Sequence, residues 1–141
     1  MIEHKEIRVL CVDDNALLGD AIRHRLSMEE GLVWHGLLPD ADHLLDQVLQ
    51  APPDIVLLDV DMPGKDPFEV MKELSARCPK TRVIMYTGHV HADLIERALE
   101  AGAWGYVSKN EDVSAILKAI REVAAGEVSL GPDVQVVFNG F

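Results

Sequence analysis

Basic residues are scarce in this chain, with 13 Lys and Arg against 24 Asp and Glu and a net charge of -11. A surface this acidic repels a phosphate backbone, which argues against direct nucleic-acid binding by the chain. A basic partner surface or a divalent cation is its natural complement. Cysteine is equally sparse. Cys11 lies in an apolar run and Cys78 just before Pro79, without CxxC or Cys/His metal spacing, so both read as reduced thiols of a cytoplasmic protein. No apolar stretch approaches the roughly 20 residues that span a bilayer. The amino terminus, MIEHKEIRVLCVDD, turns charged too soon for a secretory signal. A cytoplasmic location with no membrane contact is the resulting expectation. A glycine-rich phosphate loop of the Walker or dinucleotide type is also missing, which excludes the usual way of holding a nucleotide. The six histidines form no zinc-like cluster and read as exposed or locally hydrogen-bonded.

What is present is apolar periodicity. At 141 residues and 48% hydrophobic content, the chain can build one compact core. Strand-like runs recur at Ile7 to Val12, Leu32 to Leu38, Ile55 to Leu58, Val83 to Tyr86 and Trp104 to Val107. Each is followed by helical spacing, clearest at Leu44, Leu45, Val48 and Leu49, at Leu94, Ile95, Ala98 and Leu99, and at Val113, Ile116, Leu117, Ile120 and Val123. Pro39, Pro52-Pro53, Pro63-Gly64, Pro79, Gly88 and Gly102 fall where the connections belong. Five βα units predict an α/β fold, a doubly wound parallel sheet of five strands, over residues 1–126. Residues 127–141, which change character after Gly126, read as a tail or the start of a linker.

In an open parallel sheet, ligands bind beyond the carboxyl ends of the strands. Here the first strand ends in Asp13 and Asp14, the third in Asp59, the fourth in Thr87, and the fifth runs through Tyr106 to Lys109. Three carboxylates at one rim repel one another unless a cation neutralises them, and Mg²⁺, a hard ion held by one or two carboxylates with phosphate oxygens, suits the set. Lys109 adds a positive charge and Thr87 a hydroxyl donor, both matched to an incoming phosphoryl group. Asp59 is then the side-chain nucleophile that forms an aspartyl phosphate. Taken alone, Asp14 also suits the N-cap of the first helix, and Lys109, Thr87 and Tyr106 suit ordinary surface, strand-end and core positions.

The motifs VDD, LLDVDMPGKD, YTG and GYVSK, in that order at successive strand ends, resemble the response-regulator receiver domain over residues 6 to about 125. The resemblance implies the flavodoxin-like (βα)5 fold with strand order 2-1-3-4-5. It also implies a two-component signalling protein that catalyses only its own phosphorylation and dephosphorylation. Asp59 matches the phosphoacceptor. Asp13, Asp14, Asp59 and the backbone carbonyl of Asp61 match the Mg²⁺ ligands, Thr87 and Lys109 the contacts of the phosphoryl oxygens, and Tyr106 the aromatic switch. The implied partners are a sensor histidine kinase or phosphotransfer protein, an output domain or protein, and in some cases a second copy as a homodimer. AGAWGYVSKN and REVAAGE resemble the NarL-like subfamily, in which a DNA-binding domain usually follows; none is recognisable here.

Three positions depart from the family pattern. Asn110 replaces the proline that usually follows the lysine, which predicts a freer loop. Pro67 removes an amide donor near the third helix. Asp61 adds an acid two residues beyond the acceptor. Two other readings are a phosphate-independent binding module and a haloacid-dehalogenase-type phosphatase, with Asp59 as nucleophile and Asp61 as general acid. The second needs an acidic pair late in the chain, whereas this pair precedes Asp59.

Overall fold

The computed structural model describes residues 5–139. Their order is β1 (Ile7–Val12), α1 (Ala16–Ser27), β2 (Leu32–Leu38), α2 (Leu44–Gln50), β3 (Ile55–Leu58), α3 (Pro67–Arg77), β4 (Arg82–Thr87), α4 (Ala92–Glu100), β5 (Gly105–Ser108), α5 (Val113–Ala124), β6 (Ser129–Leu130) and α6 (Pro132–Asn139). The strands form one parallel sheet in the order β2-β1-β3-β4-β5-β6. The expected 2-1-3-4-5 arrangement is present, with a sixth strand added at its edge.

Successive side chains of a strand face opposite sides, and here both sides are covered. Leu10 and Val12 of β1, Val56 and Leu58 of β3, Val83 and Met85 of β4 and Tyr106 of β5 meet Leu44 and Val48 of α2, Met71 and Leu74 of α3, and Ile95 and Ala98 of α4. Val9, Cys11, Ile55, Leu57, Ile84, Tyr86 and Val107 face the other way, onto Ile22 and Leu26 of α1 and Ile116, Ile120 and Val123 of α5. This double burial is why β3 and β4 read as nearly continuous apolar runs.

Local chemistry starts the helices where the site needs them. Asn15 caps α1, its side-chain oxygen accepting from the amides of Leu17 and Leu18 at 3.1 and 3.2 Å. Asp14 is therefore not the helix cap. Asp66 caps α3 by accepting from the amide of Phe68 at 2.9 Å, with Pro67 as the first helical residue. A first-turn amide has no partner within its helix, so Pro67 gives up nothing the helix uses.

The segment after Gly126, expected as a tail or the start of a linker, is built into the domain through residue 139. The amides of Ser129 and Gly131 donate to the carbonyls of Trp104 and Tyr106, both at 2.9 Å, which adds β6 to the edge of β5. Helix α6 then buries Val134 completely in the α2–α3–α4 core, with Val137 packed against it. The two-residue strand is too short for alternation to reveal, which is why the pattern missed it. Val134→Ala should lower stability by about 2 kcal/mol, the loss expected for two buried carbon groups plus a small cavity. Chemical denaturation checks this, and an unchanged midpoint would show that α6 is not part of the core.

Candidate functional site

The sheet's ladder continues one step past the strands and fixes the rim residues. The amide of Asp13 donates to the carbonyl of Leu38 at 2.9 Å, that of Asp59 to Val12 at 3.1 Å and that of Lys109 to Thr87 at 2.9 Å. These bonds tie the end of β1 to β2 and β3, and the end of β5 to β4. Asp13 and Asp59 are buried, with 2% and 6% of their surface exposed, and Thr87 is fully enclosed, while Asp14 stands in solvent. One oxygen from each of Asp13, Asp14 and Asp59 lies within 4.8 Å of the others. The structure thus brings Asp13, Asp14 and Asp59 together at one rim.

Lys109 reaches into this cluster. Its Nζ donates to Asp13 Oδ2 at 2.5 Å and to Asp59 Oδ2 at 2.9 Å. Burial pushes the ammonium's pKa down, but the hydrogen bonds and charges of Asp13 and Asp59 outweigh that effect and leave it above the usual lysine value. Three carboxylates against one ammonium still carry a formal charge of -2, so the donor set suits a divalent cation with hard-oxygen preference. The remaining carboxylate oxygens are oriented by backbone amides, Asn15 on Asp13 Oδ1 at 2.9 Å and Asp61 on Asp59 Oδ1 at 3.1 Å.

Two loops frame the mouth. Between β3 and α3, Gly64 adopts φ +97°, and a side chain there would collide with Asp42, whose Oδ1 accepts from the amide of Lys65 at 2.8 Å. Between β4 and α4, the amide of His89 donates to Thr87 Oγ1 at 3.1 Å, and Tyr106 Oη donates to the carbonyl of His89 at 2.5 Å. Tyr106 is wholly buried.

The loop after Lys109 is not freer, contrary to the expectation from Asn110. The amide of Asn110 donates to Ser108 Oγ at 3.0 Å, that of Glu111 to the Ser108 carbonyl at 3.2 Å, and Glu111 Oε1 accepts from the amide of Asp133 at 2.8 Å. A buried serine and the N-terminus of α6 thus restrain the loop. Ser108 and Glu111 escaped the sequence reading because their partners are a neighbouring amide and a helix whose formation was not anticipated. A cavity of about 540 Å³ near the opposite strand ends is lined by Lys5, Arg82 and Arg121 among others. Lys5, Arg82 and Arg121 pair there with Asp54, the Val123 carbonyl and the Glu30 carbonyl.

Comparison with known proteins agrees with the rim geometry: residues 9–121 match the family described as response regulator receiver domain. The chain belongs to that family. It is 34% identical over 122 residues to the transcriptional activator protein ExaE of Pseudomonas putida, covering 84% of this chain and 55% of that protein. It is 27% identical over 130 residues to the nitrate/nitrite response regulator protein NarL of Escherichia coli K12, covering 92% of this chain and 60% of that one. The crystal structure of a LuxR-family two-component response regulator from Aurantimonas sp. SI85-9A1 superposes with a TM-score of 0.90 at 26% identity, over 96% of this chain and 97% of that chain. The chain therefore spans about 55–60% of the length of these two curated relatives. Its homologues are NarL-type regulators, as the fifth-strand motif suggested, and the dehalogenase reading is not favoured.

Burial first, and the Asp59 charge second, push the Tyr106 hydroxyl up from 10.0 to about 12. Burial likewise raises Tyr86. Since these folded values lie above the unfolded ones, the stability they contribute is fully present below pH 10 and is lost as pH rises toward 12. An absorbance titration should show phenolate forming together with unfolding in that alkaline range. Ordinary ionisation near 10 in folded protein would contradict the enclosure of Tyr106.

Proposed function

We propose that this receiver domain accepts a phosphoryl group on Asp59 from the phosphohistidine of a sensor kinase or phosphotransfer protein. The observation that carries the reading is Lys109, whose ammonium bridges Asp13 and Asp59 beside the enclosed hydroxyl of Thr87. An Asp59 oxygen attacks phosphorus, the bond to the donor imidazole breaks, and its electron pair stays on that ring nitrogen. Lys109 moves from one of the carboxylate oxygens it holds to a phosphoryl oxygen, and Thr87, whose Oγ1 accepts from the His89 amide, donates its hydroxyl hydrogen to another. Asp13, Asp14, Asp59 and the carbonyl of Asp61 would hold Mg²⁺, which when bound neutralises the charge that collects as phosphoryl and carboxylate approach.

The domain is no enzyme toward an outside substrate; it catalyses its own phosphorylation and dephosphorylation. It works in the cytoplasm, in keeping with the described residues, among which no helix is long and apolar enough to cross a membrane. Its switched face, around α4, β5 and α5, acts on an output domain or protein, or on a second copy. Transcription is the process most in keeping with the relatives' names. The acidity of the chain leaves DNA contact to another domain or protein.

Acetyl phosphate with Mg²⁺ should add one phosphoryl mass to the intact protein. The addition should be absent from Asp59→Asn and abolished by chelator. A folded, Mg²⁺-binding protein that gains no mass would replace this function with a phosphate-independent binding module.

A further inference from the structure

The chain gathers several of its scarce cations at the end of the sheet away from Asp59. The cavity of about 540 Å³ there is walled by Lys80, Arg82 and Arg121, with Lys5, Glu6 and Asp54 beside them. Arg82 opens β4, Asp54 stands just before β3, and Arg121 lies in the last turn of α5. Asp54 is already committed, its Oδ2 accepting from the amide of Arg8 at 2.8 Å and its Oδ1 facing Lys5 Nζ at 3.5 Å. Among the described residues, Glu6, Lys80, Arg82 and Arg121 form no ion pair. The two guanidinium groups are held in place without being neutralised. Arg82 donates from Nη1 to the Val123 carbonyl at 2.8 Å and stacks over Trp104, 4.3 Å from the ring centre, while its enclosed Nε has no partner among the described residues. Arg121 donates from Nη2 to the Glu30 carbonyl at 2.9 Å. A carbonyl satisfies one donor but brings no full negative charge, and each guanidinium has several N–H donors to offer.

We propose that this cavity is a second ligand site, separate from the Asp59 pocket, for a small multivalent oxyanion of the polyphosphate or polycarboxylate class. Its volume falls within the range of roughly 300–1,000 Å³ typical of small-molecule sites. Lys5 and Asp54 cancel, and Lys80, Arg82 and Arg121 against Glu6 leave a formal charge of +2, so a dianion or trianion fits better than a monoanion. This excess stands out in a chain whose net charge is -11. The planar forks of Arg82 and Arg121 suit the paired oxygens of phosphate and carboxylate, and Lys80 adds a point charge. The stack on Trp104 and the bond to Val123 fix the Arg82 guanidinium before a ligand arrives, which lowers the ordering cost of binding. A bound anion would join the start of β4 to the last turn of α5 through charge, where only a carbonyl contact joins Arg82 to α5 now.

Trp104 reports on the site because Arg82 stacks over it, and Trp34→Phe removes the other tryptophan. The test titrates that full-length protein with pyrophosphate and with citrate in metal-free buffer of constant ionic strength. At least one of them should change the Trp104 emission saturably, and acetate at the same concentrations should not. Tighter binding of pyrophosphate assigns the phosphate class, and tighter binding of citrate the polycarboxylate class. Lys80→Gln and Arg121→Gln should each weaken binding roughly tenfold, the loss of one charged hydrogen-bonding group. Lys80 is exposed and has no partner among the described residues, so its variant tests the site even where Arg121→Gln fails to fold. No saturable change with either anion at millimolar concentration, acetate binding as tightly as citrate and pyrophosphate, or unchanged affinity in Lys80→Gln overturns the site.

Discussion

The bridge from Lys109 to Asp13 and Asp59 is the constraint on which the rest of the site depends. Two nearly enclosed carboxylates on neighbouring strands would drive the strand ends apart, since charge removed from water is costly unless paired. The ammonium sits between them at 2.5 and 2.9 Å and satisfies both at once. It arrives from β5, on the far side of β4, so the three strand ends must align for the contact to exist. The ladder bonds from Asp13 to Leu38, Asp59 to Val12 and Lys109 to Thr87, together with the β3–β4 register that sets Leu58 beside Met85, provide that alignment with backbone alone. The fold thus supplies position, while the lysine makes the resulting crowding tolerable.

The same arrangement explains how the site can be both stable and responsive. A buried ion pair contributes little net stability, because desolvation offsets most of the attraction, yet removing one partner strands the other. An incoming phosphoryl group brings oxygens that can replace the carboxylate oxygens around Lys109, so the lysine need never be left unpaired. Thr87 differs: its Oγ1 accepts from the His89 amide at 3.1 Å, and donating its hydroxyl hydrogen elsewhere does not require that bond to break.

Much of this was legible in the chain because strand ends in a parallel sheet are marked by an abrupt change from apolar to polar residues. Val12 to Asp13 and Leu58 to Asp59 show that change directly. The helices were legible from stripes such as Ile116, Ile120 and Val123, all of which are buried as their spacing requires. What could not be read depended on contacts distant in sequence. Nothing around Asn110 indicates that Ser108 would restrain its amide, or that Glu111 would meet Asp133, 22 residues on. The amide that Pro67 removes is a local fact, whereas the harmlessness of its loss depends on where the helix begins. The segment after Gly126 is illegible for a different reason: a two-residue strand carries no period, and α6 hides only Val134 completely.

That C-terminal segment gives Tyr106 a role beyond filling space. Its side chain donates to the His89 carbonyl beside the phosphoryl pocket, while its own carbonyl accepts from Gly131 at the start of α6. Glu111, two residues beyond Lys109, holds the first turn of the same helix through Asp133. Two short routes, each composed of directly bonded groups, therefore run from the residues around Asp59 to α6. Packed elements joined in this way move as units rather than deform by small amounts, because a close-packed interior has few intermediate arrangements. A rearrangement of the loop at His89 that turned Tyr106 would consequently disturb the pairing of β5 with β6 before it reached any outside partner. The part of the domain farthest along the chain is thus mechanically adjacent to its chemistry.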